Sequence, residues 1–343
     1  MTTDPQPASA SRPEANGGAA RKAMTETAHV VGPGVLRVRN GMPAWEPIEG
    51  QPLVLHPERL RTLLIYGHGD LTGAALKLLW QHGVQVSFIS RHGGRMQGRL
   101  SPPSDAAPQL AYLQHLAVSD PQFALVQARR LVEQKVEGIR DVLEHLARHG
   151  HEDLRSVRGL LKIDLRRVGQ ADSLPSLLGH EGSASARWHA AMRTLFPDSM
   201  PYPGRRCHPA TVPVNGLLSL GYTLLLSRVQ TYAAAIGLDP LIGVYHQRRA
   251  GKPALACDLI EPLRTPLVDQ LVLAQVRQGV FRPEHFHDTD DGVRLNPDAF
   301  RRFLQVFEAR YQGEPKHAPF EQQARQIVDR FATAVRQWER SPP

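Results

Sequence analysis

The apolar residues of this chain change their period once, and the change falls at Pro102-Pro103. Consecutive prolines cannot continue a helix, because each ring removes a backbone donor and fixes φ. The Ser, Asp and Ala residues that follow complete a polar linker. Before it the signals are those of strands. Leu36 and Val38 alternate with Arg37 and Arg39, and Asn40-Gly41 then supplies the pair that tolerates positive φ in a tight hairpin. Leu53–Leu55, Leu63–Tyr66 and Val84–Ile89 read as further strands, with a helix from Leu71 to Gln81. Beyond the linker Leu116, Phe123, Leu125, Val126, Leu131, Val132, Val136, Ile139, Val142, Leu143 and Leu146 recur at helical spacings. The pattern predicts an α+β protein: a small β-rich domain over 29–103, with one sheet and one helix, then a larger all-α domain over 104–343.

The 343 residues, 41% of them hydrophobic, suffice for about two domains. Residues 1–28 are rich in small residues and proline, and their charges cancel, so they read as a disordered leader. Val214 to Ile236 predicts a long apolar helix opened by Pro213 and closed at Gly237. Its Asn215, Ser219, Thr223, Ser227 and Arg228 favour a core helix over a membrane span. Phe320 to Trp338 reads as a final amphipathic helix. No secretory signal is present, and Cys207 and Cys257 form no paired motif, so a soluble cytoplasmic protein is expected.

A net charge of +8, with 16 histidines besides, favours a polyanionic partner. Gly67, Gly69 and Gly73 stand between a strand and a helix, as in a dinucleotide-binding turn. No acidic residue for a ribose ends the next strand and no further β-α units follow, so a nucleotide-dependent enzyme is the weak alternative.

Three segments of the helical part place metal-capable side chains beside small residues and arginines. In a helix beginning near Glu181, that carboxylate shares a face with Ala184, Ser185, Trp188 and Met192. It is either a charge directed at the packed side, costly unless paired, or a capping acid. His246 follows Gly237-Leu238-Asp239-Pro240, and alone it is one histidine among many. Asp258 and Glu261, three apart, repel unless a cation or Arg264 intervenes, and Pro262 leaves open whether a helix boundary separates them. Arg205, Arg206, Arg248, Arg249, Lys252 and Arg264 surround these acids with positive charge, a mixture that suits a nuclease.

In order and spacing these segments resemble the CRISPR-associated integrase family, over about residues 30 to 310. The resemblance rests on Glu181-Gly182, Arg205-Arg206 before Pro213-Val214-Asn215, Gly221-Tyr222, Gly237 to His246, and Asp258-Leu259-Ile260-Glu261 with Arg264. It implies a β-rich dimerisation domain and a helical catalytic domain with one Mg²⁺ or Mn²⁺ held by Glu181, His246 and Glu261. Asp258 would support the site, or replace Glu261 if Pro262 turns that carboxylate away. Arg205, Arg206, Arg248, Lys252 and Arg264 are the candidates for DNA binding. The implied reaction is spacer insertion by attack of a 3′-hydroxyl on a phosphodiester, with nuclease activity when water attacks. The implied partners are double-stranded and branched DNA, a second copy in a homodimer, and a small companion subunit bridging two dimers. A catalytically silent DNA-binding assembly subunit of the same fold is the main alternative.

Overall fold

The computed structural model describes residues 27–91, 96–102, 108–206, 210–246, 252–290, 292–313 and 319–338. Most of the expected leader, Pro103, Cys207 and the Arg248-Arg249 pair lie outside the described residues. Thr27 and Ala28, counted with the leader on composition, open the first strand.

The β-rich region holds two sheets rather than the one expected. β1 (Thr27–Val31), β5 (Thr62–Tyr66), β7 (Gln85–Ile89) and β8 (Met96–Leu100) form one, ordered β1-β5-β7-β8, with β8 antiparallel and the others parallel. β4 (Leu53–Val54), β3 (Met42–Pro47), β2 (Gly34–Arg39) and β6 (Gly69–Leu71) form the other, ordered β4-β3-β2-β6. Parallel neighbours need a crossover, and α1 (Gly73–Gln81) lies between β5 and β7 in the chain. The hairpin between β2 and β3 turns at Asn40 and Gly41, whose φ values are 50° and 76°.

β5 is buried throughout, as a central parallel strand should be. Its Leu63 and Ile65 pack with Val30, Trp45, Leu79 and Val86 in the core of the β-rich region. Its Leu64 and Tyr66 alternate to the opposite face and join the helical core. One sheet is thereby fastened to the helices.

The helical region comprises α2 (Gln109–Ser119), α3 (Pro121–Arg148), α4 (Leu154–Gly169), α5 (Leu174–Leu195), α6 (Pro213–Ala235), α7 (Ala254–Leu263), α8 (Gln270–Arg277), α9 (Pro297–Gln312) and α10 (Phe320–Trp338). α3 starts where Asp120 accepts the N–H of Gln122 ahead of Pro121, and it buries Leu131, Val132, Val136, Ile139 and Leu143. Leu116 and Val126, counted with this stripe in sequence, are exposed. α6 is buried on nearly every side, and Gly237 at φ 89° follows its end. Among the described residues no helix is long and apolar enough to cross a membrane.

This region is mostly but not wholly helical. β9 (Phe286–Thr289) pairs with β10 (Gly292–Leu295), and Ala210 bridges to Gly292. The exposed His287 and Asp288 of β9 remove the apolar alternation that marks a strand in sequence.

Candidate metal centre

α5 carries Glu181 in its third turn, because the helix begins at Leu174, where Ser173 Oγ accepts the N–H of Ser176 ahead of Pro175. The capping role for Glu181 is thereby overturned, and its position on the packed face stands. Ala184 and Trp188 are 1% and 2% exposed and Met192 is fully buried on that face. Ser185 Oγ donates to Glu181 Oε1 at 2.6 Å, and the Tyr245 hydroxyl lies 3.4 Å from Oε2.

α7 carries both Asp258 and Glu261, with Pro262 inside the same helix. No helix boundary separates the two acids. Neither Pro262 nor Pro266 can donate a backbone hydrogen bond, and a π-helical turn over Arg264–Asp269 follows. Such wide turns accommodate missing donors. The turn places Arg264 Nη1 2.7 Å from Glu261 Oε1 and its guanidinium over the Tyr222 ring at 4.3 Å. The Tyr222 hydroxyl donates in turn to Asp269, which also accepts Trp188 Nε1 at 2.7 Å.

Asp258 lies behind the site and does not line it. It is 1% exposed and accepts the backbone N–H groups of Val244, Tyr245 and His246 at 2.7, 3.0 and 2.8 Å. Its Oδ1 is also 2.6 Å from His246 Nδ1. Holding Nδ1 leaves Nε2 as the ring nitrogen for a metal, the arrangement that orients metal-binding histidines generally. Pro262 does not turn Glu261 away: Glu261 lines the pocket and Asp258 does not.

The loop that presents His246 is fixed from two sides. Buried Gln114 of α2 donates to the carbonyls of Asp239 and Ile242 at 2.9 and 2.7 Å and accepts the N–H of Asp239 at 2.8 Å. Gly243 lies so close to α7 that a Cβ there would stand 2.7 Å from the Ala254 carbonyl carbon. Only glycine permits that approach.

Glu181, His246 and Glu261 line one pocket of about 340 Å³ with Lys135, Leu178, Tyr245, Lys252 and Arg264. Lys135 of α3 bridges the two acids: Nζ is 2.6 Å from Glu261 Oε2 and pairs with Glu181 Oε1. Gly138, one turn along α3, faces the Pro262 carbonyl and the Pro266 ring, where a Cβ would stand at 3.4 and 3.5 Å, in ordinary contact. Burial alone would raise the Glu261 carboxyl above its usual range, but Arg264 and Lys135 outweigh it and hold it well below. Burial would likewise depress Lys135, yet Glu261 and Glu181 keep it charged and raise it. The donors, two carboxylates and an imidazole, suit Mg²⁺ or Mn²⁺. Glu261 Oε2 is buried without a hydrogen bond, in contact with the Lys135 charge alone. Among the described residues no three metal-capable groups already form a cage; an ammonium stands where the carboxylates converge.

The basic candidates divide. Arg264 serves Glu261 and Tyr222. Arg205 is engaged with Asn215 Oδ1 and Ser219 Oγ, both at 3.1 Å, and its guanidinium also lies over the Tyr222 ring, 5.1 Å from the centroid. Arg206 and Lys252 are exposed, and Lys252 is at the pocket. Arg248 lies outside the described residues.

Of the glycine turn, Gly69 begins β6, and a Cβ there would meet Trp45 at 2.7 Å and Ile65 at 2.8 Å. Its missing side chain makes room for the core, so packing accounts for this glycine without a nucleotide.

Sequence reasoning missed Lys135, Gln114 and Tyr245. Lys135 left a signal, since it falls on the face of Leu131, Val132 and Ile139, where a charge needs a partner.

A β-rich region fastened to a helical bundle is the arrangement that the resemblance to the CRISPR-associated integrases implies. The family model described as CRISPR associated protein Cas1 matches residues 29–309. A Thermus thermophilus protein named CRISPR-associated endonuclease Cas1 1 is 35% identical over 276 residues, covering 80% of this chain and 83% of that one. A Geobacter sulfurreducens exonuclease Cas4/endonuclease Cas1 fusion is 31% identical over 291 residues, covering 79% of this chain; the match spans about half, 52%, of the fusion. Among solved structures, a Cas1 protein from Thermotoga maritima superposes with a TM-score of 0.79 at 20% identity, covering 90% of this chain and 97% of that one. A casposase bound to integration product superposes at 0.77 and 23% identity, covering 91% and 90%. A chain of a Cas6-RT-Cas1–Cas2 complex superposes at 0.80 and 24% identity, covering 92% of this chain and 36% of that one. The chain belongs to the Cas1 family.

Proposed function

We propose that this protein is a metal-dependent DNA endonuclease and integrase that inserts spacer DNA into a CRISPR array. The observation that carries the reading is the convergence of Glu181 from α5, Glu261 from α7 and His246 from the intervening loop on one pocket. These three residues are the proposed ligands. They would hold Mg²⁺ or Mn²⁺, which when bound would supply activation of an attacking hydroxyl and charge stabilisation on the phosphate. Asp258 fixes the His246 tautomer and ring orientation, and Arg264 fixes Glu261. Exposed Lys252, at the pocket, and exposed Arg206 bind strand phosphates, with Arg248 a further candidate from the sequence, while Arg205 and Arg264 add positive field from more fixed positions.

In the proposed reaction a 3′-hydroxyl attacks the phosphodiester at the repeat boundary; the new P–O bond forms as the old one breaks and a 3′-hydroxyl leaves. Water in its place gives hydrolysis, and the reverse reaction resolves branched DNA. The names of the relatives, endonucleases and a casposase with its integration product, support this chemistry. A homodimer built by the β-rich region and a small companion subunit complete the proposed assembly; a structural neighbour sits in a complex with Cas2.

Labelled branched DNA, incubated with Mn²⁺ or with EDTA, tests the proposal. Wild type should resolve it only with metal, and His246→Ala and Glu261→Gln should retain binding but lose at least about 100-fold in rate, the scale of a lost ligand or its support. Binding without turnover in any divalent metal would favour the silent assembly subunit.

A further inference from the structure

Lys135 is neither a ligand nor a strand contact in the reading above, yet it occupies the centre of the site. Its side chain is 11% exposed, and its ammonium stands between Glu181 Oε1 and Glu261 Oε2. Glu261 Oε1 accepts from Arg264 at 2.7 Å, whereas Oε2 has no hydrogen-bond partner and is the freer oxygen. That oxygen is the one Lys135 contacts. A divalent cation on it would meet the ammonium at close range among largely buried side chains, where repulsion is stronger than in water.

We infer that Lys135 competes with a divalent cation for these carboxylates: its ammonium pairs with both Glu181 and Glu261 and must leave them before a metal takes the same oxygens. The inference rests on those two residues being ligands. Lys135 comes from α3, which supplies none of the proposed ligands. Its four-carbon stem can therefore swing aside without moving α5 or α7. Competition for the same oxygens lowers metal affinity by the fraction of time the ammonium holds them.

Mn²⁺ binding to the full chain, followed by electron paramagnetic resonance of the free ion, separates this from a merely structural ion pair. Lys135→Met should bind Mn²⁺ at least about tenfold more tightly than wild type, as the competing charge is gone. Its melting temperature should fall in EDTA and recover in Mn²⁺ by more than that of wild type. Lys135→Gln keeps a polar end and should show the same trend. Unchanged or weaker Mn²⁺ binding in both variants would overturn the inference, as would failure of both to fold in saturating Mn²⁺, which should replace the lost charge. Glu261→Gln tests the underlying assignment separately: if it binds Mn²⁺ as wild type does, the ligand set is wrong, whatever the lysine variants do.

Discussion

Three backbone N–H groups and one imidazole nitrogen point at the carboxylate of Asp258, which has almost no contact with solvent. Removing it leaves those donors buried, at about 1–3 kcal/mol for each that water cannot reach. Asp258→Ala should therefore lose about 3 kcal/mol or more in urea denaturation and loosen His246. Asp258→Glu retains the charge but cannot meet the same donors, and should restore less than half of that loss; full restoration would show that charge alone matters. The same scale shows what a sequence conveys about a site. Glu181 was legible because helical spacing put it with Trp188 and Met192, on whichever turn the helix began. Gln114 was not, because its partners lie more than a hundred residues away and only the tertiary fold brings them together. Lys135 was overlooked because a lysine on a long helix is ordinarily solvated, with its stem lying along apolar neighbours.

The helices and the loop between α6 and α7 carry two glycines with opposite meanings. Gly243 is required by contact, since any Cβ would press on the start of α7. Gly243→Ala should destabilise the fold by about 1–3 kcal/mol through overpacking and displace His246, seen as a lower melting temperature together with weaker Mn²⁺ binding. Gly182, in α5 beside Glu181, has open space where a side chain would begin: a Cβ there would meet nothing within 4 Å, so packing does not demand a glycine. Gly182→Ala should stabilise by about 0.5–1 kcal/mol, the helix preference for alanine. A stabilised variant that binds DNA more weakly would place the strand against this turn; a destabilised one would contradict the open surface. Boundaries at this scale were legible where proline and glycine mark them, as at Pro213 and Gly237. The β9–β10 hairpin escaped because its first strand is polar, and the π-helical turn escaped because periodicity does not register a single slipped hydrogen-bond ring.

Across the whole molecule, one polar network ties the β-rich region to the helices. His29 of β1 bonds to the Tyr66 hydroxyl and to Glu308 of α9, each at 2.9 Å, and Glu308 pairs with Arg228 of α6. Burial lowers the His29 pKa despite Glu308 beside it. Burial would raise Glu308, but Arg228 and the hydrogen bond from His29 together outweigh it and lower that pKa as well. Both groups thus bind protons more weakly folded than unfolded, so both contributions are full above the unfolded values and fade as pH falls. Melting temperature should decline first below about pH 6.5 from His29, then further below about pH 4.3 from Glu308. His29→Gln should flatten the first decline; an unaltered profile would assign it to other histidines. The two-region plan was legible from the change of apolar period, whereas this fastening was not, because its charges sit on elements that read separately as strand and helices.

Anomalous scattering of Mn²⁺ in crystals of the protein shows whether Glu181, His246 and Glu261 together hold one divalent cation. A single strong peak is expected in the pocket between these three side chains, with Lys135 Nζ drawn away from both carboxylates. A peak elsewhere, or an empty pocket with Lys135 still bridging the acids at saturating Mn²⁺, would contradict that assignment.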